Sequence, residues 1–173
     1  MITKLISIIA VYLVSQSLCR ADEAIKIKGL YIGMKVQEAT DVLNKRFREY
    51  IGVPPEFERL DDGSYSLFVT DRDTNLPLLT LKGDRNGSVI EAVMLRRLVD
   101  KMFNSADLDF NAFVKQFKDA YKIPEMKPFS DSEFGLTDSG YEFSSPTGVR
   151  IRISESKAIN MALVPTAKER KFD

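Results

Sequence analysis

The stretch IKIKGLYIGMKVQEATDVLNKRFREY, Ile25 to Tyr50, decides how this chain is read. Ile25 and Ile27 alternate with Lys26 and Lys28, which is the two-residue period of a half-exposed strand. Gly29 and Gly33 interrupt that pattern. From Met34 the period lengthens. Val36, Ala39, Leu43, Phe47 and Tyr50 step by three or four, so they share one face of a helix. Glu38 and Asp41 come early and Lys45, Arg46 and Arg48 late, an order that suits the helix dipole. Gly52, Pro54 and Pro55 stop the helix.

A weaker copy of this helix returns about 70 residues later, the length of one supersecondary repeat. FREYIGVP (Phe47 to Pro54) and FKDAYKIP (Phe117 to Pro124) share a phenylalanine, a base, an acid and a proline in order. LDDGSY (Leu60 to Tyr65) then matches LTDSGY (Leu136 to Tyr141). TLKGDRNGSVIEAVML (Thr80 to Leu95) runs parallel to IRISESKAINMALV (Ile151 to Val164). Similarity in fixed order is the signature of a duplicated unit.

In the first copy the pattern predicts strands over Phe57–Leu60, Tyr65–Thr70, Leu76–Lys82 and Ser88–Arg96, with turns at Asp61–Ser64 and Asp84–Gly87. The second copy opens after Asn104. Asp107 or Asp109 caps a helix whose core face is Phe110, Phe113, Val114, Phe117 and Tyr121. Met126 to Glu133 reads as a polar loop. Tyr141–Ser144 and Val149–Ser154 form a hairpin, and Ala158–Val164 closes the sheet. A helix followed by antiparallel strands, twice over, predicts an α+β fold rather than a βαβ nucleotide fold. A unit of about 70 residues has little core of its own. The two copies, 22–103 and 104–165, are therefore expected to share one antiparallel sheet with the helices on one face. Residues 166–173 form a charged tail.

Residues 1–21 read as a secretory signal peptide. Lys4 supplies the positive start, Leu5 to Val14 the apolar segment, and Cys19-Arg20-Ala21 the small residues before cleavage at Asp22. The apolar segment is shorter than a membrane-spanning helix requires, which disfavours a retained anchor. Leu18 stands where a lipid-attachment site needs a small residue before Cys19. The chain has one cysteine, inside this segment, so no disulfide is expected in the remainder. That pattern fits a bacterial periplasm, and the expected location is periplasmic or secreted, with no stable membrane span after cleavage. A hydrophobic content of 44% argues for a folded globule. Balanced charge, 25 basic against 25 acidic residues, leaves no basic footprint for nucleic acid.

Gly33-Met34 followed by Glu38 at a helix start resembles the β-lactamase inhibitor protein and the small outer-membrane assembly lipoproteins of similar fold. As topology the resemblance covers most of the chain; as sequence it covers about Gly33 to Phe47. It implies helical elements on one face of an antiparallel sheet, and a protein-binding module of the exported compartment. The chain departs from the pattern at Lys35, where a small hydroxyl residue is usual, and the second copy lacks Gly-Met.

The catalytic equipment of common enzymes is missing. There is no histidine, which removes the commonest general base and metal ligand. No thiol remains outside the signal, and no Walker, GxSxG or GxGxxG motif occurs. Glu56, Glu58, Asp61 and Asp62 cluster, but beside a turn they read as a solvated loop. Asp71-Arg72-Asp73-Thr74-Asn75 begins like a calcium loop, yet Leu76 and Lys82 occupy positions that require glycine and glutamate. No catalytic residue, metal or cofactor is expected. The second reading is a carboxylate-based hydrolase of cell-wall or glycan substrates, which needs two acids across a cleft. The third is a structural subunit of an envelope complex.

Strand alternation points to the candidate site. If Tyr65, Leu67, Val69, Ile90, Ala92 and Met94 face the helices, then Phe68, Val93 and Leu95 face away. Ile151 and Ile153 likewise turn in, and Arg150 and Arg152 turn out. A sheet face combining apolar side chains with arginines has the composition of an interaction surface. Phe68, Val93, Leu95, Arg150 and Arg152 are the expected contacts to another envelope or extracellular protein.

Overall fold

The computed structural model describes residues 24–133 and 136–164. The signal reading and the charged tail lie outside the described residues. Among the described residues there are three helices: α1 (Val36–Arg46), α2 (Arg96–Phe103) and α3 (Phe110–Tyr121). The strands are β1 (Glu58–Arg59), β2 (Tyr65–Thr70), β3 (Pro77–Gly83), β4 (Val89–Met94), β5 (Lys127–Glu133), β6 (Leu136–Ser144), β7 (Val149–Ser154) and β8 (Ile159–Leu163). All eight join one antiparallel sheet in the order β1-β2-β3-β4-β8-β7-β6-β5. The fold is α+β, as the pattern predicts.

One face of the sheet and the helices form a single core. Leu67, Val69, Leu81, Ala92, Met94, Ile151, Ile153 and Met161 point inward from the strands. Ala39, Leu43, Leu98, Val99, Phe113 and Phe117 meet them from the helices. Each large apolar side chain buried this way contributes about 1.5–3 kcal/mol, which is what holds the helices to the sheet. α1 has no side-chain cap. Its first amide donates instead to the Gly87 carbonyl, and Lys35 Nζ reaches Asn86 O and Ser88 Oγ, so the helix start is tied to the β3–β4 turn. α3 is capped by Asp109, which accepts from the Ala112 amide at 2.9 Å.

The first expectation to change is the strand at Ile25–Lys28. Ile27 and Leu30 exchange two backbone hydrogen bonds around Lys28 (φ 51°) and Gly29 (φ 94°). Positive φ at both central residues is the signature of a tight I′ turn, and glycine takes that conformation at little cost. The alternation of Ile and Lys therefore serves a turn that drives Ile27 and Leu30 into the core.

Two β-bulges alter the inward set. Between β3 and β4 the register shifts near Gly83, and Val89 is buried where Ile90 was expected. Between β2 and β3 a shift at Thr70 lets the consecutive residues Leu78 and Leu79 both be buried. One inserted residue reverses the side-chain parity beyond it, which simple alternation cannot anticipate.

Two elements differ outright. Arg96 was expected to end the last strand of the first half, but it begins α2. Met126–Glu133 was expected to be a loop, but Lys127–Glu133 is β5, an edge strand paired to β6 along its whole length.

Candidate functional site

The sheet face away from the helices carries a continuous row of side chains. Register places Phe68 beside Thr80, Thr80 beside Val93, Val93 beside Asn160, Asn160 beside Arg152, Arg152 beside Glu142 and Glu142 beside Lys127. A parallel row runs Ser66, Lys82, Glu91, Ala162, Arg150, Ser144. Four of the five expected contacts, Phe68, Val93, Arg150 and Arg152, thus share this face. The fifth, Leu95, does not. It leaves β4 to become the N-cap of α2, and its amide donates to Leu78 O at 2.8 Å.

Phe68 is 59% exposed, the largest exposed aromatic on the face. Thr80, Val93 and Ala162 are short and half-buried, and Glu91, Asn160 and Arg150 lie among them on the central strands. Charged pairs lie in both halves of the face. On one side Lys82 Nζ meets Glu91 at 2.7 Å, and Asn160 Nδ2 donates to Glu91 at 3.2 Å. Burial opposes the Glu91 charge, but the Lys82 and Asn160 hydrogen bonds outweigh it and hold the carboxyl below its ordinary range. On the other side Arg152 joins Glu142 at 2.8 Å and Asp131 at 2.5 Å and lies 4.5 Å from the Phe129 ring centroid. Burial disfavours that guanidinium charge; the two carboxylates more than compensate, and its pKa is raised.

Two polar atoms near the centre have no partner among the described residues: Arg150 Nε and Asn160 Oδ1, both shielded. Asn160 was not among the expected contacts. Its place beside Arg152 follows from the β7–β8 register, which sequence alone does not fix.

Asp62 and Asp71 are each held within their own loop. Asp62 accepts from its own turn, from Ser64 N at 2.9 Å and Ser64 Oγ at 2.6 Å. Asp71 is buried and occupied by the amides of Asp73 and Thr74 and by Lys101 Nζ. Its carboxyl is held well below the usual range, first by Lys101. Among the described residues no cluster of three or more His, Cys, Asp or Glu side chains could hold a metal, and no helix is long and apolar enough to cross a membrane. No family model, curated protein or solved structure matches the chain.

Proposed function

We propose that this chain is an exported protein-binding module that docks the outer face of its sheet on another envelope or extracellular protein. The observation that carries the reading is the uncovered row from Phe68 to Lys127, which combines an exposed aromatic, short half-buried side chains and paired charges. Aromatic side chains and arginines are the residues enriched at interfaces and among their energetic anchors.

The same reading holds that the sheet arose by tandem duplication, with repeats at 22–103 and 104–165. Support comes from register. Tyr65 pairs with Gly83 as Tyr141 pairs with Ile153, and Leu81 pairs with Ala92 as Ile151 pairs with Met161. The strand order mirrors itself about the β4–β8 junction. The resemblance at Gly33-Met34 points to the same class of binding module.

The test is photo-crosslinking from position 68 in cells, with the crosslinker at exposed Lys45 on α1 as the control. The expected result is a discrete adduct with an envelope protein from position 68 alone. The same adducts from both positions, or none from 68, would overturn the reading.

A further inference from the structure

We infer a second binding site at the β5 edge, for an extended acidic segment of a partner protein. It does not depend on the outer-face reading. The hydrogen-bond parity of the sheet decides which way β5 points its backbone. Ser139 O accepts from Glu155 N and Ser145 N donates to Val149 O, so the odd residues of β6 bond toward β7. Its even residues therefore bond toward β5, where Glu142, Gly140 and Asp138 face Lys127, Phe129 and Asp131. That leaves Pro128, Ser130 and Ser132 with their backbone groups aimed outward. Pro128 has no N–H to waste there, which is why proline is tolerated at this position. Ser130 and Ser132 present free donors and acceptors, and both residues are exposed. At the opposite edge β1 is only two residues long.

Beside this edge, on the helix side of the sheet, lies an open hollow of about 400 Å3. Val114, Met126 and Tyr141 line its apolar floor, and Lys115 and Lys118 of α3 stand at its rim with Asp119 as the single acid. Neither lysine makes an ion pair among the described residues. A strand added to β5 turns alternate side chains toward this hollow. A glutamate there rests its methylenes on the floor and its carboxylate on the lysines.

The probe is the peptide acetyl-Val-Glu-Val-Glu-Val-Glu-Val-amide, with a lysine-for-glutamate version as control, titrated into the full chain. The expected result is saturable binding of the acidic peptide, at least about tenfold tighter than the basic one. Lys115→Glu with Lys118→Glu should reverse that preference. Ser130→Pro should abolish binding while leaving Tm nearly unchanged, because the lost N–H has no partner in the free fold. Phe68→Glu should leave peptide binding intact, which separates this site from the outer face. Equal binding of the two peptides, or full binding by a folded Ser130→Pro variant, would overturn the inference. So would a self-association through β5 that excludes the peptide.

Discussion

Lys101 Nζ lies 2.6 Å from a carboxylate oxygen of Asp71 and pins α2 to the loop between β2 and β3. Asp71 is buried, and two loop amides also point at it. Its folded pKa lies below its unfolded one, so the sign of the linkage is fixed. The stabilisation is complete above the unfolded carboxylate value, near 4, and drains away as pH falls through that value toward the folded one. Urea unfolding at a series of pH values below about 5 should show a steeper loss of stability for the native chain than for Asp71→Asn. Equal slopes would mean that the pair does not govern acid sensitivity.

Phe117 and Phe47 are both fully buried, yet their surroundings are not the same. Phe117 packs against Phe103, Phe113 and Tyr121 with ring centroids 5.8, 6.1 and 4.8 Å away. Truncation of either to alanine should cost about 3–5 kcal/mol. Each aromatic pair adds about 0.5–1.5 kcal/mol beyond area, so Phe117→Ala should be the worse of the two. Chemical denaturation of the two variants gives the ranking directly.

Gly140 of β6 pairs with Ser154 of β7. A Cβ placed there would lie 2.0 Å from Ile153 O and 2.9 Å from Ser154 Cα, both backbone atoms that cannot step aside. Gly140→Ala should therefore rank among the most damaging single changes, above about 4 kcal/mol. Soluble yield and thermal unfolding test it. The phenyl group of Phe68 makes a useful contrast. At 59% exposure, Phe68→Ser should shift stability by no more than about 0.5 kcal/mol.

What the sequence made legible divides along physical lines. Tyr65–Thr70 and Val149–Ser154 were read with the bounds the structure has, because one face is apolar and a turn closes each end. The α3 cap was narrowed to Asp107 or Asp109, and the structure uses Asp109. α2 was hidden because it follows a strand without a break and opens on Arg96 and Arg97, with no acid in its first turn to signal a helix start. β5 was hidden because Lys127–Ser132 contains no buried residue to impose alternation. The candidate face was legible as a set of residues, Phe68, Val93, Arg150 and Arg152. Asn160 and the ordering of the row were not, since both depend on which strands become neighbours.

Lys157 carries the last prediction. It occupies the turn between β7 and β8 at a φ of 62°, and only 6% of it is exposed. Its Nζ donates to Ser105 O at 2.7 Å and Leu108 O at 2.5 Å, with Asp100 3.9 Å away. One buried amine thus closes the α2–α3 connection onto the far hairpin. Its length alone does not explain the placement, because two carbonyls would lose their donor if it were replaced by an apolar chain of similar reach. Lys157→Met should cost about 1–3 kcal/mol from the carbonyls left unpaired. Lys157→Gly loses the same donor but relieves the left-handed backbone, worth about 1 kcal/mol in return. Thermal unfolding should therefore place the glycine variant at or above the methionine one. The reverse order would show that packing along the lysine stem, not the hydrogen bonds at its end, is what this turn contributes.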